Sequence, residues 1–425
     1  MKGKYFIIVL ALGVFLVSGC ADKTNNNPTR PNTPPQGYVF KQNFHSYSIF
    51  FSTSNDRPGG EHGDKPYNAY TPPGYLNSTD GRFPVLYLLP PFRSDELYYF
   101  EHGLAQVADR LIAEGKIIPM IIVTVDGRSL LGGSFYVDSP RQGRFATALT
   151  EYASYTVPRY TSMGQLVDVT YGAPSLISRI DDNFRTVAES RFRAIGGIGM
   201  GGYGAARLAL TTDKFNSVSA INAPLDFDGA GADGFRSLIN QVYPAGSPWS
   251  SVDTSLHNPA MSLLVSAAAA FSPQHQAFRV DSIYRLVNVD VISYTITDSL
   301  TTDKRSYLPR HHAHMPFDST GVINDDIWQV WMHNNIDYLY QQADGNNQNR
   351  FRLMRKLMVT TGYDEYFFNE QMNAFAAFLR ASNMTFDEKT LPGTTMLTAG
   401  ADRYLYDLLE DVLIFHSEAF KAAGW

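Results

Sequence analysis

The chain has 425 residues, and 35 Lys and Arg against 41 Asp and Glu give it a formal net charge of −6. Nucleic-acid binding calls for a basic face, so this balance argues against such a partner. Hydrophobic residues make up 44% of the chain, which supports a large core, and one elaborated domain is compatible with the length. The single cysteine, Cys20, excludes a disulfide within the chain.

The first 19 residues are predicted to be a lipoprotein signal peptide. Two early lysines precede the apolar run Tyr5–Val17, whose 13 residues are too few to span a hydrocarbon core of ~30 Å comfortably. The run ends in "VSGC" at residues 17–20, which resembles the lipobox of bacterial lipoproteins. That resemblance implies cleavage before Cys20 and acylation of its thiol; the alternative is an ordinary secretory signal with an incidental cysteine.

Residues 20–37 are predicted to form a flexible tether, because they are polar and rich in Asn and Pro. Ala21 follows the cysteine, and the resemblance to sorting rules in enteric bacteria then implies the outer membrane. We therefore expect a protein anchored by lipid in a bacterial cell envelope, with its folded domain in residues 38–425.

Strand and helix patterns alternate along that domain. Residues 38–54 and 66–71 alternate aromatic and polar positions, which is typical of antiparallel edge strands. Short apolar runs separated by helical patterns then indicate βαβ units and a mostly parallel, doubly wound sheet of the α/β class. The runs are Pro84–Leu89, Pro119–Val125, Phe192–Ile198, Ser217–Asn222 and Lys356–Thr361.

The alternation stops between about residues 224 and 350. We interpret this stretch as a cap inserted into the sheet domain, loop-rich and with one clear helix near 324–342. Trp328 and Trp331 share that helix with apolar neighbours, so most of their stripe is expected to be core. An aromatic cap could also stack on sugars or phenolic rings.

The segment "RAIGGIGMGGYGAARLALTT" (193–212) predicts a strand, a sharp turn and a helix. Strand–Gly-x-Ser-x-Gly–helix is the nucleophile elbow of α/β-hydrolases. Here Gly199 stands where the serine would be, between Gly197 and Gly201. Because glycine has no side chain, it cannot form an acyl-enzyme, although the shape of the turn should survive.

Several blocks, in order along the chain, resemble the putative esterase family, which includes esterase D, feruloyl esterases and related acyl-carbohydrate esterases. They cover most of residues 65–225 and 350–425, and the resemblance implies an α/β-hydrolase fold with a Ser–acid–His triad. The blocks are "YNAYTPPGYLNSTDGRFPVLYLLPPF", "GKIIPMIIVTVDGRS", "GGSFYVDSP", "IDDNFRTVAESRFRAIGGIGMGGYGAARLAL" and "VTTGYDEYFFNEQMNAFAAFLRA".

The resemblance also locates the other two triad members. It implies that Asp364, or Glu365 if the loop is shifted by one, is a vestigial acid. It implies a histidine in the loop 392–402, but that loop, "PGTTMLTAGAD", contains none. His416 lies on an apolar stripe of the last helix, so we expect it to be a packed core residue.

The expected oxyanion site is altered as well. The family's "LLHG" turn is "LLPP" at residues 88–91, and each proline removes an amide hydrogen. Phe92 and Met200 are the remaining candidate amide donors. The family keeps the loop "GGSFYVDSP" beside the site, which makes Ser134 and Tyr136 candidate cleft residues.

Outside these blocks, His311, His312 and His314 form the strongest cluster of candidate ligands, but a zinc site normally needs three or four ligands with suitable geometry. We expect neither a metal nor a cofactor. The predicted function is a degenerate esterase that binds an acylated carbohydrate or a similar small ligand. The alternatives are an active carboxylic-ester hydrolase with a rebuilt site and an interaction scaffold; the sequence leaves the oligomeric state open.

Overall fold

Short, wholly buried strands form the centre of the protein, whose structure is a computed structural model. It describes residues 36–46, 49, 64–77, 79–129, 131–139, 142–228, 234–244, 258–273, 278–280, 286–288, 313–317, 322–361, 368–391 and 401–425. The strands are β1 Tyr38–His45, β2 Asp64–Thr71, β3 Val85–Leu89, β4 Ile121–Val125, β5 Asp138–Ser139, β6 Gly143–Arg144, β7 Ala153–Tyr160, β8 Leu166–Ala173, β9 Arg193–Ile198, β10 Ser217–Ile221, β11 Phe278–Val280, β12 Leu286–Asn288, β13 Arg355–Thr361 and β14 Asp387–Leu391.

Twelve α-helices accompany these strands in the described part of the chain. They are α1 Tyr98–Glu101, α2 Leu104–Ala113, α3 Phe145–Thr150, α4 Leu176–Asn183, α5 Met200–Thr211, α6 Phe235–Val242, α7 Pro259–Phe271, α8 Asp325–Met332, α9 Ile336–Gln342, α10 Gly345–Leu353, α11 Phe368–Ala381 and α12 Ala401–Ala422. None of the described helices is both long enough and apolar enough to cross a membrane.

The main sheet has eight strands in the order β1-β2-β4-β3-β9-β10-β13-β14. Strand β2 runs antiparallel to both β1 and β4, whereas the strands from β4 to β14 pair in parallel. The predicted mostly parallel sheet with antiparallel strands at one side is therefore confirmed, but β2 is not an edge strand as predicted, because it lies between β1 and β4. The first edge strand was predicted to be longer, but β1 ends at His45.

Alternate residues of the central strands pack against two different helical layers. In β3, Val85, Tyr87 and Leu89 belong to the core that α4 and α5 cover. Leu86 and Leu88 belong to the core that α2 and α12 cover. The sheet is thus buried on both faces, which explains its continuous apolar runs.

The insertion at 224–350 contains more helix than predicted. The expected helix near 324–342 is two helices, α8 and α9, because the chain turns at residues 333–335. The buried Asn335 side chain donates to the Asp226 carboxylate at 2.9 Å and accepts from the Phe227 N–H at 2.9 Å. These bonds tie the break between the two helices to the segment that follows β10.

Helix α7 was also missed, and its composition gives the reason. Eleven of its thirteen residues, from Met261 to Phe271, are buried. A helix buried on all sides shows no amphipathic period. Asn258 caps its first turn by accepting from the N–H groups of Ala260 and Met261, with Pro259 at the first helical position.

An aromatic cluster joins the described helices of the insertion to the sheet domain. The cluster contains Phe235 of α6, Phe271 of α7 and Trp331 of α8. These rings contact Tyr203 of α5 and Phe135, which lies in the loop between β4 and β5. Ring centroids lie 4.9 Å apart for Phe135 and Phe271, and 5.4 Å apart for both Tyr203–Phe271 and Phe235–Trp331. Trp328 and Trp331 are 1% and 0% exposed, so the prediction that they are core is confirmed.

Candidate functional site: the elbow at Gly199

Gly199 lies at a sharp turn between β9 and α5, as the segment 193–212 predicted. Its backbone has φ +55° and ψ −118°. Its N–H donates to the Ile221 carbonyl at 2.8 Å, and its own carbonyl accepts from the Tyr203 N–H at 3.0 Å. Neighbouring backbone therefore holds the turn in a conformation that a residue with a Cβ adopts only at a cost in free energy.

The space around Gly199 is open. A Cβ built there would lie 3.8 Å from the Asn222 carbonyl oxygen and 3.9 Å from the Pro91 Cβ, with nothing closer. The residue is also partly exposed. Crowding therefore does not exclude a serine side chain from this position.

The flanking glycines differ from Gly199, because the backbone on either side allows them no side chain. A Cβ at Gly201 would lie 2.0 Å from the Leu89 carbonyl oxygen, and one at Gly197 would lie 2.4 Å from the Gly201 carbonyl carbon. Helix α5 thus rests directly on β9 and on the end of β3. The helix and the sheet are therefore in direct backbone contact at these glycines.

The turn after β3 is held from beneath by two buried phenols. Tyr99 donates its hydroxyl to the Leu89 carbonyl at 2.8 Å, and Tyr136 donates to the Pro90 carbonyl at 3.2 Å. Burial raises the pKa of both hydroxyls well above the ordinary value, so both remain protonated donors. The proline-containing turn therefore has a defined shape.

Two amide groups remain as candidate donors at this turn. Met200 begins α5, where the first N–H groups have no intrahelical acceptor, and Gly199 supplies no side-chain cap. Within the described residues, the Phe92 N–H donates to no carbonyl. We call Gly199, Pro91, Phe92, Met200 and Asn222 the elbow site.

Positive φ angles at residues other than glycine cluster around the elbow site. The described chain has five such residues: Arg93 (66°), Phe135 (52°), Tyr136 (53°), Asn222 (41°) and Asn383 (50°). Only Asn383 lies away from the loops that surround Gly199. Such conformations persist where the surrounding structure imposes them, and they concentrate at binding and active sites.

The candidate cleft residues Ser134 and Tyr136 are both 0% exposed. The Ser134 hydroxyl donates to the Gly127 carbonyl at 2.7 Å and accepts from the Tyr136 N–H at 3.2 Å. The Tyr136 ring fills the space beside Gly127 and Gly204 that a Cβ at either glycine would occupy. Both side chains therefore support the site from below rather than lining its surface.

Several predicted site residues lie outside the described residues: Cys20, Asp364, Glu365, His311, His312 and residues 392–400. His314 is described and exposed, and its backbone exchanges hydrogen bonds with Ser272. Among the described residues, no group of three or more His, Cys, Asp and Glu side chains has the arrangement of a metal site.

His416 is a core residue, as predicted. Its Nδ1 lies 2.8 Å from the Ser217 hydroxyl and its Nε2 lies 2.9 Å from the Ser219 hydroxyl, and the side chain is 0% exposed. Burial, and to a smaller extent the charge of Arg355, lowers the pKa of His416 to about 3. The contact of His416 with Ser217 and Ser219 was not predicted from the sequence. The two serines are two residues apart in a strand, so their side chains must lie on one face.

Comparison with known proteins adds to this geometry. Residues 63–270 match the model of the family described as putative esterase. A protein named endo-1,4-β-xylanase/feruloyl esterase, from Xylanibacter ruminicola, is 33% identical over 139 residues, which are 32% of this chain and 16% of that protein. The chain thus matches less than a fifth of that relative's length.

Solved structures resemble the whole fold. A ferulic acid esterase aligns with a TM-score of 0.52 at 16% identity, covering 91% of this chain and 99% of the other. An S-formylglutathione hydrolase from Agrobacterium tumefaciens aligns with a TM-score of 0.48 at 13% identity, covering 92% and 98%. The chain therefore has the α/β-hydrolase fold of these esterases, and the resemblance of residues 63–270 to the putative esterase family is confirmed.

Proposed function

We propose that this esterase-type protein has lost serine-hydrolase catalysis and binds an acylated carbohydrate, or a similar small ligand, at the elbow site. The observation that carries the proposal is Gly199: the backbone keeps the geometry of a nucleophile elbow, and the space for the nucleophile side chain is open but unfilled. We further propose that the protein is an envelope lipoprotein anchored through Cys20, so that Cys20→Ala should release it from membranes.

The loss of catalysis follows from what acyl transfer requires. A serine hydrolase needs a nucleophile, a histidine that accepts its proton, and amide donors that face the oxyanion. Gly199 supplies no hydroxyl, and residues 392–400 contain no histidine. Pro90 and Pro91 remove two amide hydrogens from the adjoining turn. Restoring one of these parts leaves the others missing.

The retention of a binding site follows from what the structure keeps. Four strained residues surround Gly199, and two buried phenols hold the turn after β3. The elbow site also lies at the carboxyl ends of parallel strands, where ligands of open α/β sheets bind. The feruloyl esterase activity named for the Xylanibacter ruminicola relative supports an acylated carbohydrate as the ligand class.

The proposal is tested in two steps. A fluorophosphonate probe should not label the protein, and p-nitrophenyl acetate should give no burst of product. Feruloylated or acetylated oligosaccharides should bind in calorimetric titration. Gly199→Phe should abolish this binding, because the ring would fill the elbow site.

Gly115→Phe is the matched control. Like Gly199, Gly115 has a positive φ, and no atom lies within 4 Å of a Cβ built at Gly115. This control should bind as the parent protein does. Covalent labelling would instead support the active-hydrolase alternative. Failure of every acylated sugar to bind would refute the proposed ligand class.

A further inference from the structure

The hairpin β7–β8 forms a two-stranded sheet that no other described strand joins. Two strands alone are only marginally stable in water. Of the ten exposed large hydrophobic residues in the described chain, four lie in or beside this hairpin: Tyr152, Met163, Leu166 and Val167. The hairpin therefore combines an incomplete sheet with a local excess of exposed apolar surface.

The register shows which backbone groups point outward. The Thr161 N–H donates to the Gln165 carbonyl at 2.7 Å, so these two residues form a hydrogen-bonded pair. Hydrogen-bonded and non-hydrogen-bonded pairs alternate along an antiparallel ladder. Thr156↔Thr170 and Pro158↔Asp168 are therefore non-hydrogen-bonded pairs, whose backbone N–H and C=O groups face away from the hairpin.

The two outer edges of the hairpin therefore differ in their capacity to pair with another strand. On β7, Pro158 lacks an N–H at an outward position, and proline on an edge strand blocks the addition of another strand. On β8, the outward positions are Leu166, Asp168, Thr170 and Gly172, and all four have an N–H. The β8 edge alone therefore offers an uninterrupted row of donors and acceptors.

We propose that the β8 edge pairs with the β8 edge of a second copy of this chain, giving an antiparallel four-stranded sheet across a two-fold axis. A two-fold interface must be self-complementary, and an antiparallel strand edge satisfies that condition. Asp168 is the only charged residue of β8. The symmetric register that places it opposite Thr170 of the second copy avoids a like-charge contact.

The apolar residues support the same partner. Val167, Val169 and Tyr171 share one face of β8, whereas the outward-pairing positions 166, 168, 170 and 172 share the other and are all exposed. Pairing two copies of β8 places the Val and Tyr positions of both copies side by side on one face. The new sheet then shields apolar surface that the isolated hairpin leaves in water.

Sedimentation equilibrium of the full chain carrying Cys20→Ala, over a wide concentration range, tests the proposal. We expect a reversible dimer. Thr170→Pro should weaken it by about tenfold or more, because each copy loses one hydrogen bond across the two-fold axis. Thr156→Pro is the matched control: it lies directly opposite, removes an outward N–H from the β7 edge, and should leave the dimer intact.

Hydrogen exchange supplies a second measurement. The outward amides of Leu166, Asp168, Thr170 and Gly172 should become protected as protein concentration rises, while the outward amides of β7 should not. A monomer at all concentrations overturns the proposal. It is equally overturned if Thr170→Pro and Thr156→Pro have the same effect on the dimer, because the interface would then not use the β8 edge.

Discussion

The geometry of the elbow turn predicts how much an added methyl group lowers the free energy of unfolding at Gly199 and at Gly201. Gly199→Ala adds a Cβ whose nearest neighbour is 3.8 Å away, so only backbone strain opposes it. A backbone conformation as sparsely populated as that of Gly199 costs a residue with a Cβ about 1–3 kcal/mol. The lower entropy of the unfolded alanine chain offsets part of that cost, so we expect a net loss of about 1 kcal/mol.

Gly201→Ala has a different cost. Its Cβ would lie 2.0 Å from the Leu89 carbonyl oxygen, roughly 1.4 Å inside the 3.4 Å at which ordinary van der Waals contact begins. The neighbour is strand backbone, which cannot turn aside as a side chain does. We therefore expect a loss of about 3 kcal/mol, at the upper end of the range for overpacking.

Urea unfolding of the two variants and the parent measures these losses as shifts of the transition midpoint. Gly115→Ala, at another open position with a positive φ, is the control and should match Gly199→Ala. If Gly199→Ala destabilised the protein as much as Gly201→Ala, the place of the nucleophile would not be open. The proposal that the turn at Gly199 retains space for a serine side chain would then be wrong.

Three further outcomes are expected. The pKa of His416 is about 3 in the folded protein and about 6.5 in the unfolded chain. Between these values the unfolded state binds a proton that the native state excludes. The free energy of unfolding therefore falls as the pH falls from about 6.5 towards 3. His416→Gln should therefore flatten the pH dependence of unfolding between about pH 6.5 and 4.5; a slope unchanged from that of the parent protein would contradict this account. Tyr136→Phe should cost about 1 kcal/mol in urea unfolding through the lost bond to the turn after β3, and no measurable loss would mean that the phenol does not hold that turn. Cys20→Ala should move the protein from the membrane fraction to the soluble fraction, and a variant that still sediments with membranes would refute the lipid anchor.

The sheet was predictable because its strands are buried on both faces. Runs such as Val85–Leu89 and Ile121–Val125 are almost entirely apolar, and helical patterns separate them. The elbow was predictable for a different reason: Gly197 and Gly201 stand between a strand pattern and a helix pattern at the spacing of the Gly-x-Ser-x-Gly turn. Predicted and observed strand ends differ by one or two residues at these positions.

The insertion was less predictable, because its helices are buried by tertiary contacts that leave no periodic pattern. Helix α7 is apolar on all sides, and the break between α8 and α9 depends on Asn335 contacting a segment more than a hundred residues away. The roles of Ser134 and Tyr136 were obscured similarly. A hydroxyl near a candidate site suggests a catalytic or ligand-binding role. In the structure, both hydroxyls instead donate hydrogen bonds to backbone carbonyls.

The aromatic cluster between the insertion and the sheet domain limits how the protein can move. Each ring buries about 150–250 Å², which at ~25 cal/mol per Å² amounts to roughly 4–6 kcal/mol. Lifting α6, α7 and α8 would separate Phe235, Phe271 and Trp331 from their neighbours. That would cost as much as the ~5–15 kcal/mol that stabilises a whole domain. Opening of these three helices is therefore costly, and we expect a ligand at the elbow site to meet a preformed surface and to exchange without movement of α6, α7 and α8.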